Sequence, residues 1–299
     1  MKVSEEIGIQ VSVLSQIEQW PTDNAVSTVI DGSGRMLGSV GDLNRKYPLA
    51  SVTKLLSAYA FLLALEEEAI SLDDPAGPEG STVHHLLAHT SGYDFDSETI
   101  RFKPGSRRGY SNTGFEVLAE HLQRSSGIAF TEYISEALFI PLGMNDTTLD
   151  GSSAKDGIST AADLSRFAAE LLTPTLLASE SLKNATSVHF PDRIGILPGY
   201  GRQEPNDWGL GFEIRGTKNP HWTGKDHPAT TFGHFGQSGT FLWVDPEHRL
   251  ACVTLTDKAF GPWAAQRWSD YNNGVLQEFS RCISRMSNDG GGGAGRQGR

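Results

Sequence analysis

Ser51-Val-Thr-Lys54 sets a hydroxyl and an amine three residues apart at the head of the apolar run 51–65. Pro48 biases the chain before it toward extended structure, so a helix is expected to begin near Ala50 or Ser51. Three residues make about one helical turn, which puts Lys54 on the same face as Ser51. The positive end of the helix dipole favours negative charge developing beside the serine. A nucleophile, a neighbouring amine and backbone N–H groups aimed at one point are the parts of an acyl-transfer site. The same four residues also suit a serine N-cap followed by a solvated lysine, so the decision falls to partners elsewhere in the chain.

Two segments supply such partners. Gly109-Tyr-Ser-Asn-Thr-Gly114 precedes a helical pattern. A tyrosine there can present its phenol to a cleft and relay a proton if neighbouring cations lower its pKa. Asn112 brings both a donor and an acceptor, and it also suits the helix N-cap. Gly233-His-Phe-Gly-Gln-Ser-Gly239 leads into an apolar strand. Glycines at a strand edge allow close approach of a ligand, or mark a bulge. A backbone N–H of that edge can complete an oxyanion hole.

The elements that must position these groups follow from pattern. Residues 25–31 and 35–40 flank a Gly32-Ser-Gly34 turn and read as a hairpin. The helix from Ser51 closes its apolar stripe at Glu66-Glu-Glu68, and Asp73-Asp-Pro75 stops it. Residues 81–180 read as mainly helical, with helical spacing over 115–123, 130–137 and 162–172 and a capping-box start at Thr160. Residues 183–230 are loop-rich, with a candidate strand over 208–214. Residues 240–245 and 249–256 read as paired strands, followed by a helix over about 263–284. Short hairpins imply an antiparallel sheet covered by helices, an α/β (α+β) fold with an inserted, mainly helical lobe. The expected division is residues 1–72 and 229–286 for the α/β lobe, 73–228 for the helical insertion, and a disordered glycine-rich tail over 287–299.

A chain of 299 residues, 38% hydrophobic, is long enough to bury a sizeable core without staples. Cys252 reads as a core thiol; with only Cys282 beside it there is no disulfide framework, and a single bridge stays open. The formal net charge of -11 argues against nucleic acid or an anionic membrane as partner. No stretch reaches the length of a membrane span. The acidic start, Met1 to Gln10, is unlike a signal peptide, so a cytoplasmic location is expected. His84, His85 and His89 have ligand-like spacing, and His221 and His227 lie near His234. No cysteine or carboxylate pattern completes a zinc site, so a metal is not expected. Trp208 and Trp222 suit either the cleft or the core.

The order S-x-x-K, Y-x-N some sixty residues on, then H-x-G on a late strand resembles the serine β-lactamase and penicillin-binding-protein superfamily. His89-Thr-Ser-Gly92 after Leu86-Leu87, Pro104-Gly105 before Tyr110, Pro141-Leu-Gly-Met144 and Ser159-Thr-Ala-Ala-Asp163 resemble further segments of its class C-like branch, across roughly residues 25–280. That branch includes D,D-peptidases, D-aminopeptidases and esterases. The resemblance implies Ser51 as acylated nucleophile, Lys54 as its base and Tyr110 as proton shuttle. It implies that Asn112 binds a substrate carbonyl or amide, that the N–H groups of Ser51 and Gln237 form the oxyanion hole, and that His234 and Gly236 line the substrate side. The third motif departs from the K-T-G of class C β-lactamases. A histidine titrating near about pH 6.5 lacks the fixed cation that holds a β-lactam carboxylate, and any anchoring cation then comes from Arg202, Arg215 or Lys225.

The expected activity is therefore a serine hydrolase acting through an acyl-enzyme on a small-molecule ester or amide, with no cofactor. The alternatives are a D,D-peptidase, D-aminopeptidase or weak β-lactamase, and a non-catalytic penicillin-recognition protein. The oligomeric state is not legible.

Overall fold

The structure, a computed structural model, describes residues 12–289. The strands are β1 (Ala25–Asp31), β2 (Met36–Val40), β3 (Tyr47–Pro48), β4 (Thr148–Leu149), β5 (Gly157–Ser159), β6 (Gly195–Leu197), β7 (Gly201–Gln203), β8 (Glu213–Ile214), β9 (Phe232–Gly236), β10 (Thr240–Asp245) and β11 (Leu250–Thr256). The helices are α1 (Thr53–Glu66), α2 (Val83–Leu87), α3 (Asn112–Ser126), α4 (Phe130–Ile134), α5 (Ala161–Leu172), α6 (Ser179–Ala185) and α7 (Pro262–Asp289).

One six-stranded sheet runs in the order β2-β1-β11-β10-β9-β8, antiparallel throughout. The β1–β2 and β10–β11 hairpins pair with each other, Ala25 opposite Thr256 and Asp31 opposite Leu250. The early and late strands thus form one sheet, as the alternating patterns imply. Alternation along a strand sends successive side chains to opposite faces. Ala251, Val253 and Leu255 join one core with α1 and α5, while Leu250 and Cys252 join a second with α7. Both cysteines are free thiols.

Helix α1 is apolar on all sides, and every residue from Thr53 to Ala64 is buried. A helix of that kind can only sit inside a molecule. It packs on β9 at one side and on α3, α4 and α6 at the other. It stops earlier than Asp73-Asp-Pro75 would stop it, because Glu68 takes a left-handed φ of 57° just past its end.

Several expectations need correction. The candidate strand 208–214 is a strand only at Glu213–Ile214. Gly209 N–H donates to the Phe212 carbonyl and Trp208 bridges back to Glu213, so the segment doubles on itself. Thr160 caps α5 by accepting from Asp163 N–H, but the Asp163 carboxylate accepts from Asp146 N–H, Thr147 and Arg166 instead of closing a box. The capping box belongs to Thr82 and His85 at α2. The apolar spacing over 130–137 is helical but widens to a π-turn over Ser135–Phe139. The 73–228 stretch is not wholly a separate lobe, since α5 packs on β1 and β11 and β8 joins the main sheet. Within 81–180 the segment 88–111 forms no helix. Helix α7 continues through Asp289, into the start of the expected tail; the rest of that tail and the acidic start lie outside the described residues. Among the described residues no helix is long and apolar enough to cross a membrane.

The end of β9 meets the chain just before α1. A Cβ on Gly236 would stand 2.4 Å from the Leu49 carbonyl oxygen and 3.3 Å from Ala50 Cβ. Gly236→Ala must therefore push these two backbones apart. We expect a loss of about 1–3 kcal/mol in stability, read by chemical denaturation. An unchanged denaturation curve would refute this contact.

Candidate active site

Ser51 owes its place to a strained bend. Ala50 holds φ at 45°, a left-handed conformation that costs a residue with a Cβ. Leu49 is pinned on both sides of the bend. Its N–H donates to the Gly157 carbonyl (2.8 Å), and its carbonyl accepts from Thr240 Oγ1 (2.9 Å). Gly157 N–H in turn donates to Thr53 Oγ1 (3.0 Å). Ser51 then lies on the 3-10 turn Ala50–Val52 that leads into α1, half-buried, one turn from Lys54.

Lys54 is wholly buried and has no carboxylate partner within ion-pair distance among the described residues. Its Nζ donates to Asn112 Oδ1 (2.5 Å) and to the Ala154 carbonyl (3.0 Å), and sits 4.6 Å from the centre of the Tyr110 ring. Burial holds its pKa well below the ordinary lysine value, with Asp96 and Glu116 opposing that from a distance. Asn112 accepts from Lys54 and donates to Asp96 Oδ1 (3.1 Å). Asn112 thus positions the lysine, and its second N–H and second lone pair are left over for a further contact.

The Tyr110 ring packs at a tilt against His89 (4.7 Å between ring centres), Trp208 (5.7 Å) and His234 (5.6 Å). Burial raises its pKa, so it rests as a phenol; the expectation of a lowered value does not hold, because no cation outweighs the desolvation. The phenol has no partner of good hydrogen-bond geometry, although Ser51 lies close enough to be the one group that lowers its pKa.

His234 Nδ1 lies 2.6 Å from the Phe235 carbonyl, so that nitrogen carries the proton and Nε2 is a bare acceptor, buried and unpartnered. Burial, with Lys54 nearby, lowers its pKa to about 3. The expected titration near neutrality is therefore overturned: His234 stays uncharged. His89, at a left-handed φ of 54°, accepts from Ser111 N–H at Nδ1, so its Nε2 is an unpartnered donor. Trp208 Nε1–H is another. Gly236 closes the strand side against Leu49 and Ala50, next to Gln237.

Sequence reasoning missed what holds Trp208. Glu213 is buried and accepts from Lys218 (2.5 Å) and His221 (2.8 Å) on one oxygen and from Trp222 (2.6 Å) on the other. Burial would raise its pKa, but Lys218 and His221 outweigh that and hold it ionised. Lys218 also donates to the Asp207 and Ile214 carbonyls, which spends all three ammonium protons, and its Nζ lies 5.9 Å from the Trp208 ring centre. Trp222 is therefore core, and Trp208 lips the site. A glutamate, a lysine and a histidine within nine residues (Glu213, Lys218, His221) were the signal the sequence carried. The other histidines serve structure: His84 shares a 2.8 Å hydrogen bond with His189, and His227 bonds the Asn272 carbonyl. No group of three or more His, Cys, Asp or Glu placed to hold a metal occurs among the described residues. Of the anchoring cations considered, Arg215 is tied to the carbonyls of Gly216, Gly224 and Lys225.

Lys218→Met removes the chief charge that offsets the burial of Glu213 and leaves only His221 and Trp222 as its partners. We expect about 3–5 kcal/mol of lost stability in chemical denaturation, partly restored in Lys218→Met/Glu213→Gln. A single variant that melts like the wild type contradicts the network.

A family model described as Beta-lactamase matches residues 39–276. A solved beta-lactamase from Mycobacterium bovis is 51% identical, with a TM-score of 0.89 over 90% of this chain and 100% of that one. Penicillin-binding protein 4* of Bacillus subtilis (strain 168) is 30% identical over 35% of this chain and 30% of its own length. The D-alanyl-D-alanine-carboxypeptidase/endopeptidase AmpH of Escherichia coli (strain K12) is 27% identical over 40% of this chain and 43% of its own. The chain thus aligns with less than half of each of these curated relatives. With a family model spanning most of its length, the chain belongs to the beta-lactamase family.

Proposed function

We propose that the protein is a serine hydrolase that forms an acyl-enzyme at Ser51 on an ester or a small amide. The observation that carries this reading is the state of Lys54. Two N–H bonds satisfy Asn112 and Ala154, and burial disfavours a third proton. The remaining lone pair is the base one turn from Ser51. As Ser51 Oγ bonds to the acyl carbon, its proton moves to Lys54, and the N–H groups of Ser51 and Gln237 take the oxyanion. The phenol of Tyr110 gives its proton to the leaving oxygen or nitrogen as the acyl bond breaks, and recovers one from Lys54. Water then attacks the acyl-enzyme, losing its proton to the same pair, and Ser51 leaves with a proton returned.

His234 decides which neighbour of the scissile bond is tolerated. A bare imidazole acceptor pairs with a donor and repels a carboxylate. That favours neutral esters and amides. A second reading, hydrolysis of β-lactams or D-alanyl peptides, draws on the printed names of the relatives, and His234 counts against it.

Intact-mass measurement after fluorophosphonate treatment tests the nucleophile. Wild type should gain one label and Ser51→Ala none, with nearly the same melt. Labelling of Ser51→Ala, or none of the wild type, overturns the reading.

The pH profile tests the two bases separately. Neutral Lys54 is the active form, so kcat/KM for p-nitrophenyl butyrate should fall as pH drops through its lowered pKa and level off below the range near about 10.4 where a free lysine titrates. His234 gains charge only as pH falls toward about 3. The ratio of cephalosporin to neutral-ester turnover should therefore stay flat across roughly pH 5–8. A ratio that climbs as pH falls through about 6.5 would show a titrating His234.

A further inference from the structure

A cavity of about 520 Å³ opens beside Tyr110 and is lined by residues of the 93–110 segment and of the β6–β7 hairpin; no residue of β9 lines it. Part of its wall is apolar. Phe95 and Ile196 stand 51% and 61% exposed, and Phe102 and Pro198 continue the surface. Solvent-exposed large hydrophobics beside a catalytic phenol mark a binding face.

The charged lining is one-sided. Arg101, Arg107, Arg108 and Arg202 face Asp94 alone, in a chain whose net charge is -11. Two of the four are occupied. Arg101 pairs with Asp94 at 2.8 Å, and Arg108 spends its donors on the carbonyls of Ala88, His189, Phe190 and Asn206. Arg202 holds Glu204 at 3.1 Å in a solvent-exposed pair, which is weak in water and open to competition. Arg107 is exposed and has no hydrogen bond or ion pair among the described residues. A guanidinium left unpaired at the mouth of an apolar cavity is suited to a carboxylate, which it binds in a two-pronged contact.

We propose that this cavity selects substrates whose acyl chain has an apolar body and ends in a carboxylate, held by Arg107 with Arg202. The charge sits at the far end of the acyl chain and not at the scissile bond, where His234 repels it. The proposal rests on the hydrolase reading for its catalytic consequence, while the cavity itself can be tested without turnover.

Mono-p-nitrophenyl esters of adipic, pimelic and suberic acid are compared with p-nitrophenyl alkanoates of equal chain length, each rate divided by its uncatalysed rate. At one or more lengths the acid-ended ester should have about a tenfold higher kcat/KM, a charge-assisted contact being the source. Added salt should shrink that ratio. Arg107→Gln should reduce it about tenfold, mainly through KM, and Arg107→Gln/Arg202→Gln should abolish it. Arg124→Gln removes the same charge from the outer face of α3 and should leave the ratio as in wild type. A wild-type ratio below about two at every length, or one unchanged in the double variant, overturns the proposal. If no ester is hydrolysed and no fluorophosphonate attaches, the hydrolase reading fails by itself. Calorimetry then judges the cavity: 6-phenylhexanoate binding about tenfold tighter than 6-phenylhexanol supports it, and equal binding refutes it.

Discussion

The organisation of this molecule turns on one amine kept out of water. Desolvation is the largest influence on Lys54, and it is imposed by parts far apart in the chain: Asn112 at the head of α3, the Ala154 carbonyl between β4 and β5, and the rings of Tyr110 and Phe115. Helix α1 must be apolar all round to carry that lysine so deep, and the sheet and the helices must close on it from opposite sides.

A second buried lysine shows what the first avoids. Lys218 meets a carboxylate and two carbonyls, one acceptor for each proton of an ammonium. Lys54 meets two neutral acceptors, one too few. The same side chain at the same burial meets a full set of acceptors, one of them charged, in one place and an incomplete, neutral set in the other. Burial alone does not set the role; the number and charge of the acceptors do. Placed beside Trp208, Lys218 and its carboxylate fix one wall of the cleft.

What was legible in the sequence follows from range. The serine–lysine spacing, the hairpins and the late helix are local, and they stand as expected at Ser51, Lys54, β1–β2, β10–β11 and α7. Tyr110 reaches the site because its motif opens α3. The rest depended on contacts between distant segments. Lys54 and Ala154 are 100 residues apart, and nothing in either segment announces the other. His234 looked like a titrating group because its type was visible and its desolvation was not. That Asn112 also holds Lys54 and meets Asp96 was not legible, because Asp96 sits in a loop without pattern. The lobe boundary was misplaced for the same reason: α5 has an ordinary amphipathic pattern, and only the packed sheet shows which lobe it covers.

The dependence of Lys54 on both sides of the cleft has a consequence for the chain before it is folded. Until α3 and the 154 loop close over α1, water reaches the amine, and it is an ordinary protonated lysine beside an ordinary serine hydroxyl. The desolvation of Lys54 is thus a product of tertiary closure and not of any short segment. An opened chain keeps the same two residues but not the dry surroundings that set this amine apart, so the property belongs to the closed fold and not to the motif.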